Sequence, residues 1–423
     1  TLDPFFRYTI RGTTVNVSDG VNIYEDATAV TVNMPSPLFE DTLTIGNVDD
    51  FGHALSIHQA VCFLADYAQT TLGSTLPAGG VDVVHPSVVG PKANATTMWI
   101  NGDDWQDWDV IGHEYGHVIA FNNNLQGVAV PENHTWGTDN IGTHGNDDGS
   151  RLAWQEGIAY QLSFSAMVGG DVRTAIPGLP ATIGDVFYDD TVDVVAHISM
   201  ETRNHSRNNV GEGDEGSVAR ILWDYSDSNA DAYVSGHTDS WALGPKAVYD
   251  LMPGNVRFSD FWADLVVSQG TTYFKRARLG ETLQEYEISA RLVAPVDDVT
   301  FPKPQKVTFS FAEQNSGYSS DFMVVVFDVI MASILDQSPV LHDGTTTWIS
   351  NVFFQPGVYS WVVLSNPVML NGINLATSYW SGYRDFIILP EPSALVLIGV
   401  VLGVFSVSRG TRRPGPGPGL PGT

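Results

Sequence analysis

At 423 residues the chain is long enough for two or three domains, each burying a core of its own. Hydrophobic residues make up 43% and charged residues 16%, with 41 Gly and 11 Trp, which excludes a disordered chain and predicts a loop-rich, β-containing globular protein. With 48 acidic against 20 basic residues the formal charge is −28, a balance that repels phosphate backbones and anionic headgroups and argues against nucleic acid as a partner.

In chain order, residues 5–45 alternate polar and apolar positions (Val15-Asn16-Val17, Val30-Thr31-Val32) between Gly and Asp turns, and predict short antiparallel strands in an N-terminal β region, residues 1–49. From Ala54 to Thr71 the apolar positions recur at helical spacing. Within that helix lies Cys62, the one cysteine, so no intramolecular disulfide can form and a buried structural thiol is expected. Strand-like segments follow at 81–84 and 96–100. Trp105 and Trp108 then lead into a helix, where aromatics at this spacing are expected in the core.

That helix, Asp109 to Ala120, carries His113-Glu114-Tyr115-Gly116-His117. Two histidines four residues apart share one helix face and reach one cation, and neutral imidazole suits zinc. A catalytic zinc needs a third protein ligand and leaves its fourth position to water, which Glu114 is placed to deprotonate. Glu156 lies 39 residues beyond His117 (156 − 117), on a helix whose neighbours Leu152, Ala153, Trp154, Ile158 and Ala159 bury it. Burying an unpaired carboxylate costs several kcal/mol, so a metal partner accounts for it. His134 and His144, in the intervening loop, are alternative third ligands; a His-x-x-Gly-x-x-His arrangement is absent, since position 120 is Ala and position 123 is Asn.

His-Glu-x-x-His followed by Glu156-Gly157-Ile158-Ala159 resembles the gluzincin metallopeptidases, the thermolysin and fungalysin class. The resemblance implies an α+β zincin-like catalytic domain over residues 50–297, with zinc held by His113, His117 and Glu156 and Glu114 as general base. It also implies a peptidase acting on protein or peptide substrates, and the absence of a Gly-x-Met-Glu-Asn type segment for capturing a free amino terminus favours an endopeptidase over an aminopeptidase. The strand Ala95–Asn101 corresponds to the family's antiparallel edge strand, which holds substrate backbone by β-augmentation. The segment Glu212 to Tyr225 is similar to fungalysin's Gly-Glu before an apolar helix, but the family's histidine is not matched there, and His205, Tyr225 and His237 stand as candidates for the oxyanion donor. The rival reading is a non-enzymatic surface or matrix protein with a structural zinc site. Against it stands the intact Glu114.

Acidic loops at Asp139–Gly149 and Asp227–Asp231 admit calcium, but neither has full EF-hand spacing, and turn formation with a solvated face is the better reading of both. Beyond residue 298 helical periodicity gives way to closely spaced strand patterns, with Pro302 and Pro304 in the linker, and an all-β sandwich is expected over residues 298–389. Pro390-Glu391-Pro392, an apolar run from Ala394 to Val407, and Arg409, Arg412 and Arg413 resemble a PEP-CTERM sorting tail, residues 390–413. The resemblance implies export by a bacterium, transient membrane anchoring by residues 394–408, and an exosortase-like membrane sorting protease as partner. The run is short of the roughly 20 residues that span a bilayer comfortably. Residues 414–423, rich in Pro and Gly, are expected to form a disordered tail.

Overall fold

The computed structural model describes residues 7–9, 13–27, 50–127, 134, 139–190, 196–201, 211–228, 241–313, 321–330, 332–342, 344–366 and 373–390. The protein mixes helices and sheets, with helices dominating its first two thirds and strands its last. Near the N-terminus β1 (Arg7–Thr9) pairs antiparallel with β3 (Glu25–Ala27). Between them β2 (Val15–Ser18) behaves differently. Its Val15 and Val17 are fully buried, and it runs parallel to β4 (Val81–Ser87). The N-terminal region is therefore not a separate β unit throughout, because it supplies an outer strand of the four-stranded sheet β2-β4-β6-β5. Parallel neighbours need a long crossover. Here the connection contains α1 (Asp50–Tyr67), whose Ala54, Ile57, Val61 and Leu64 join the same core as the sheet's valines.

The expected edge strand lies elsewhere than the sequence suggests. β6 (Thr97–Asn101) sits inside the sheet, parallel to β4, and the outermost antiparallel strand is the two-residue β5 (Lys92–Ala93). The cause is local: the Asn94 side-chain oxygen accepts from the backbone N–H groups of Thr96 and Thr97, making an Asx turn that folds Lys92–Ala93 back onto Met98 and Trp99.

The histidine helix is α2 (Trp108–Asn122). A short α3 (Asn140–His144), capped by Asp139, precedes α4 (Asn146–Met167). After α5 (Val172–Ala175) and the hairpin of β7 (Phe187–Asp190) with β8 (Ala196–Ser199) comes α6 (Glu215–Ser226). The Asp214 carboxylate caps it, accepting from the N–H groups of Gly216 and Ser217. Two glycines set how closely these helices meet. A Cβ at Gly116 of α2 would lie 2.5 Å from the Ala159 carbonyl of α4, and one at Gly157 of α4 would lie 2.6 Å from Val218 of α6. Only hydrogen fits at either point. Helices α7 (Pro245–Leu251), α8 (Phe258–Ser268) and α9 (Tyr273–Glu285) complete this part.

The C-terminal strands form two facing sheets. One has three strands, ordered β15 (Thr347–Ile349), β11 (Thr308–Ala312), β9 (Arg291–Ala294). The other runs β10 (Val299–Phe301), β18 (Arg384–Ile388), β16 (Gly357–Ser365), β12 (Asp321–Asp328), β13 (Ser333–Gln337), with β14 (Leu341–His342) and β17 (Tyr379–Trp380) beside it. Between them lie Leu292, Phe309, Phe311, Phe322, Val324, Trp361 and Phe386, the interior of a β-sandwich. The sandwich begins at β9, before the boundary expected at residue 298, because Leu292 turns into this interior while its strand pairs with β11. Alternation along β12 and β16 also has a second use. Val325, Phe327, Val362 and Leu364 point the other way and join the core of the helical part. The two regions thus share a wall, tied by hydrogen bonds from Trp262 Nε1 to the Ser378 carbonyl (3.0 Å) and from the Tyr379 hydroxyl to Glu212.

Among the described residues no helix is long and apolar enough to cross a membrane. The tail from Glu391 onward, with the expected sorting segment, lies outside them.

Candidate metal centre

Helices α2 and α4 cross where Gly116 meets Ala159, and this contact brings the three expected ligands together. His113 Nε2 and His117 Nε2 are 3.2 Å apart, and each lies 3.1 Å from Glu156 Oε2. Ligands about 2.0–2.1 Å from a tetrahedral zinc are separated by roughly 3.3–3.4 Å, so this triangle matches one face of such a site. Among the described residues it is the one group of three or more His, Cys, Asp or Glu that can hold a metal ion. The donor set, two imidazoles and one carboxylate, suits zinc chemically and leaves one direction open.

Charges within this cluster balance through protons. Burial pushes the His113 imidazole down to about 4, so it stays neutral, as a ligand must. Burial acts in the same sense on His117, but the carboxylates of Glu156 and Glu114 outweigh it and raise the ring to about 9. Burial alone would raise Glu156; His117, His134 and the bonds from the two ligand rings instead hold its carboxyl well below the usual range. A metal ion can take over the charge that the protonated imidazoles supply.

Glu114 is buried at 5% exposure, and burial, the largest influence on it, pushes its carboxyl up to about 7. Its Oε2 has no hydrogen-bond partner. Tyr160, one turn beyond Glu156, lays its ring 4.0 Å from the His113 ring, centroid to centroid, and Tyr188 of β7 meets Tyr160 edge-on at 4.9 Å. These aromatics form the wall behind the first ligand.

His134 joins the cluster without joining the ligand triangle. Its Nε2 lies 3.5 Å from Glu156 Oε2 and its Nδ1 3.0 Å from Glu215 Oε2. Burial lowers this ring, yet Glu156 and Glu215 carry it up to about 10. Sequence reasoning weighed His134 only as a ligand and passed over Glu215 and Tyr160. Glu215 was hidden among the acids of Glu212-Gly213-Asp214-Glu215, where nothing in the spacing marks which one faces the site.

The remaining candidates fall elsewhere. Tyr225 is fully buried, and its hydroxyl donates to the Leu279 carbonyl at 2.7 Å, which holds it against α9. His205 and His237 lie outside the described residues. His144 ends α3 and is not in the metal group. In the first acidic loop Asp139 caps α3 and Asp147 pairs with Arg151 and Arg257, while residues 229–231 of the second lie outside the described residues. Trp108 is buried and donates to Ser56 Oγ at 3.1 Å, and Trp105 stacks on His53. Cys62 is only half-buried, with Sγ 3.7 Å from His58 Nδ1.

No protein-family model matches the chain, and no curated protein matches it in sequence. Among solved structures it is similar to the fibronectin(III)-like modules of Clostridium thermocellum CbhA, at 10% identity and a TM-score of 0.19, covering 24% of this chain and 96% of that one. A fibronectin type III domain from a human protein matches at 12% identity and a TM-score of 0.18, covering 36% of this chain and 98% of that one. Likenesses this distant bear on neither the architecture nor the activity.

Proposed function

We propose that the protein is an exported zinc-dependent peptidase of the gluzincin type, its α+β catalytic unit carrying the metal on α2 and α4. The observation that carries this reading is the triangle of His113, His117 and Glu156 with the buried Glu114 one residue beyond the first ligand. A structural zinc site has no need of that carboxylate. Zinc, held by the three residues, would supply a Lewis acid for the scissile carbonyl and lower the pKa of a water toward about 7.

The chain's own groups then do the proton work. Glu114, raised to about 7 and with an oxygen unpartnered, takes a proton from the attacking water and hands it to the leaving amine. Water oxygen bonds to the carbonyl carbon as the C–N bond breaks, and no covalent enzyme adduct forms. Substrate backbone has a docking edge at β5, the outermost antiparallel strand, and the Asn122 side chain at the end of α2 donates to the Ala95 carbonyl at 2.7 Å, linking that strand's turn to the histidine helix. The Pro-Glu-Pro tail, residues 390–413, would deliver the exported chain to an exosortase-like sorting protease, anchoring it through residues 394–408 on the way to the cell surface or beyond.

Metal analysis of the purified chain, beside Glu156→Ala, tests the reading. One zinc per wild-type chain and none in the folded variant is the expected result. A wild type without metal and without peptidase activity would leave the surface-protein alternative.

A further inference from the structure

We propose that His134 is a positioning residue that ties the ligand Glu156 to the buried Glu215 at the start of α6, fixing the carboxylate where it meets His113 and His117. This rests on reading the triangle as a metal site and extends it to residues outside the ligand set.

The imidazole of His134 stands between two carboxylates, 3.0 Å from Glu215 on its Nδ1 side and 3.5 Å from Glu156 on its Nε2 side. The two ring nitrogens thus face one carboxyl oxygen each, so the imidazole spans the gap between the start of α6 and the ligand on α4. Glu215 is fully buried; its Oε2 meets His134, and its Oε1 has no hydrogen-bond partner. A buried carboxylate with so little company does not stabilise the fold. As the first residue of α6 it gains some support from the helix N-terminus, and its geometry serves one evident purpose, to anchor the ring. Asp214 fixes that terminus through Gly216 and Ser217, so the anchor belongs to a rigid element.

His134 is not a fourth ligand, since it falls outside the group whose donor atoms all lie within 4.8 Å of one another. Its effect on the metal passes through Glu156, a side chain with several rotatable bonds that α4 alone leaves free to turn. Partners behind a ligand are worth about 10–100-fold in metal affinity.

The test is zinc affinity of the full chain, measured by competition with a chelator, for wild type, His134→Ala, His134→Gln and Glu215→Gln, with circular dichroism of each metal-free protein. The expected result is a loss of about 10–100-fold in His134→Ala with the metal-free fold unchanged, and a smaller loss in His134→Gln, which keeps an N–H donor. If His134→Ala does not fold, the two glutamine variants decide by the same criterion. Wild-type affinity in the folded variants overturns the inference, and a reduced turnover at saturating zinc beside that affinity would assign His134 to the substrate instead. A wild type that binds no zinc overturns the metal reading itself, and this inference with it.

Discussion

The helical crossing of α2, α4 and α6 and the interior of the C-terminal sandwich are equally buried but built from opposite materials. The sandwich interior is packed from Phe309, Phe322, Trp361, Phe354 and Phe386, with Phe309 in ring contact with three of the others. At the helical crossing, His113, Glu114, Glu156, Asp214, Glu215 and Arg220 are all at least nine-tenths buried. Apolar burial adds stability roughly in proportion to area, whereas buried charge costs free energy unless paired. The contrast marks the helical crossing as the costly part of the interior, and there His113, His117 and Glu156 form the one group among the described residues that could hold a metal ion.

Substitutions in the two regions should therefore separate stability from metal affinity. The largest effect is expected from Glu156→Ala, which removes one corner of a triangle with sides of 3.1 and 3.2 Å and should abolish zinc binding. Retained stoichiometric zinc would show that another group supplies the third ligand. Next comes Phe309→Ala, fully buried between the two sheets, at a cost of about 3–5 kcal/mol in denaturant unfolding with zinc affinity unchanged. A parallel loss of zinc affinity would mean that the wall shared through Val325, Phe327, Val362 and Leu364 transmits strain to the site.

Gly116→Ala should do both at once. Its Cβ would meet the Ala159 carbonyl at 2.5 Å, so α4 must move away; overpacking of this kind costs about 1–3 kcal/mol and should also weaken zinc binding. Lost stability with full affinity would contradict the claim that this contact sets the triangle. The smallest effect concerns pH. Burial raises the Asp214 carboxyl from 3.8 to about 7 against the pull of Arg220, so the folded state holds this proton more tightly than the unfolded chain. Stability from this group is complete below the unfolded value and is lost as pH rises through about 7. Asp214→Asn keeps a capping side chain, and the metal-free variant should lose less melting temperature than wild type between pH 5 and pH 8; an identical slope would contradict the assignment.

Much of this was legible in the sequence where the signal is local. His113, Glu114 and His117 share one helix, and the i, i+4 spacing alone puts both rings on one face. Glu156 required a buried-helix argument and the structure brings it to the histidines. What stayed hidden depended on tertiary placement. The interior position of Thr97–Asn101 follows from an Asx turn at Asn94, and the parallel course of Val15–Ser18 from a crossover no alternation pattern records. The approach of His134 to Glu215, 81 residues apart, leaves no trace in spacing at all. β12 likewise reads as a continuous apolar run because it is buried on both faces, against the sandwich interior and against the helices.

The central claim is that Glu114 works on a metal-activated water rather than holding the metal. The most direct measurement is casein cleavage and zinc content of the chain truncated before Pro390, for wild type and Glu114→Gln. The account predicts one zinc in both proteins and a fall of about 10²–10⁴-fold in cleavage rate for the variant. Zinc in both proteins with equal cleavage, or with none in the wild type, would contradict it.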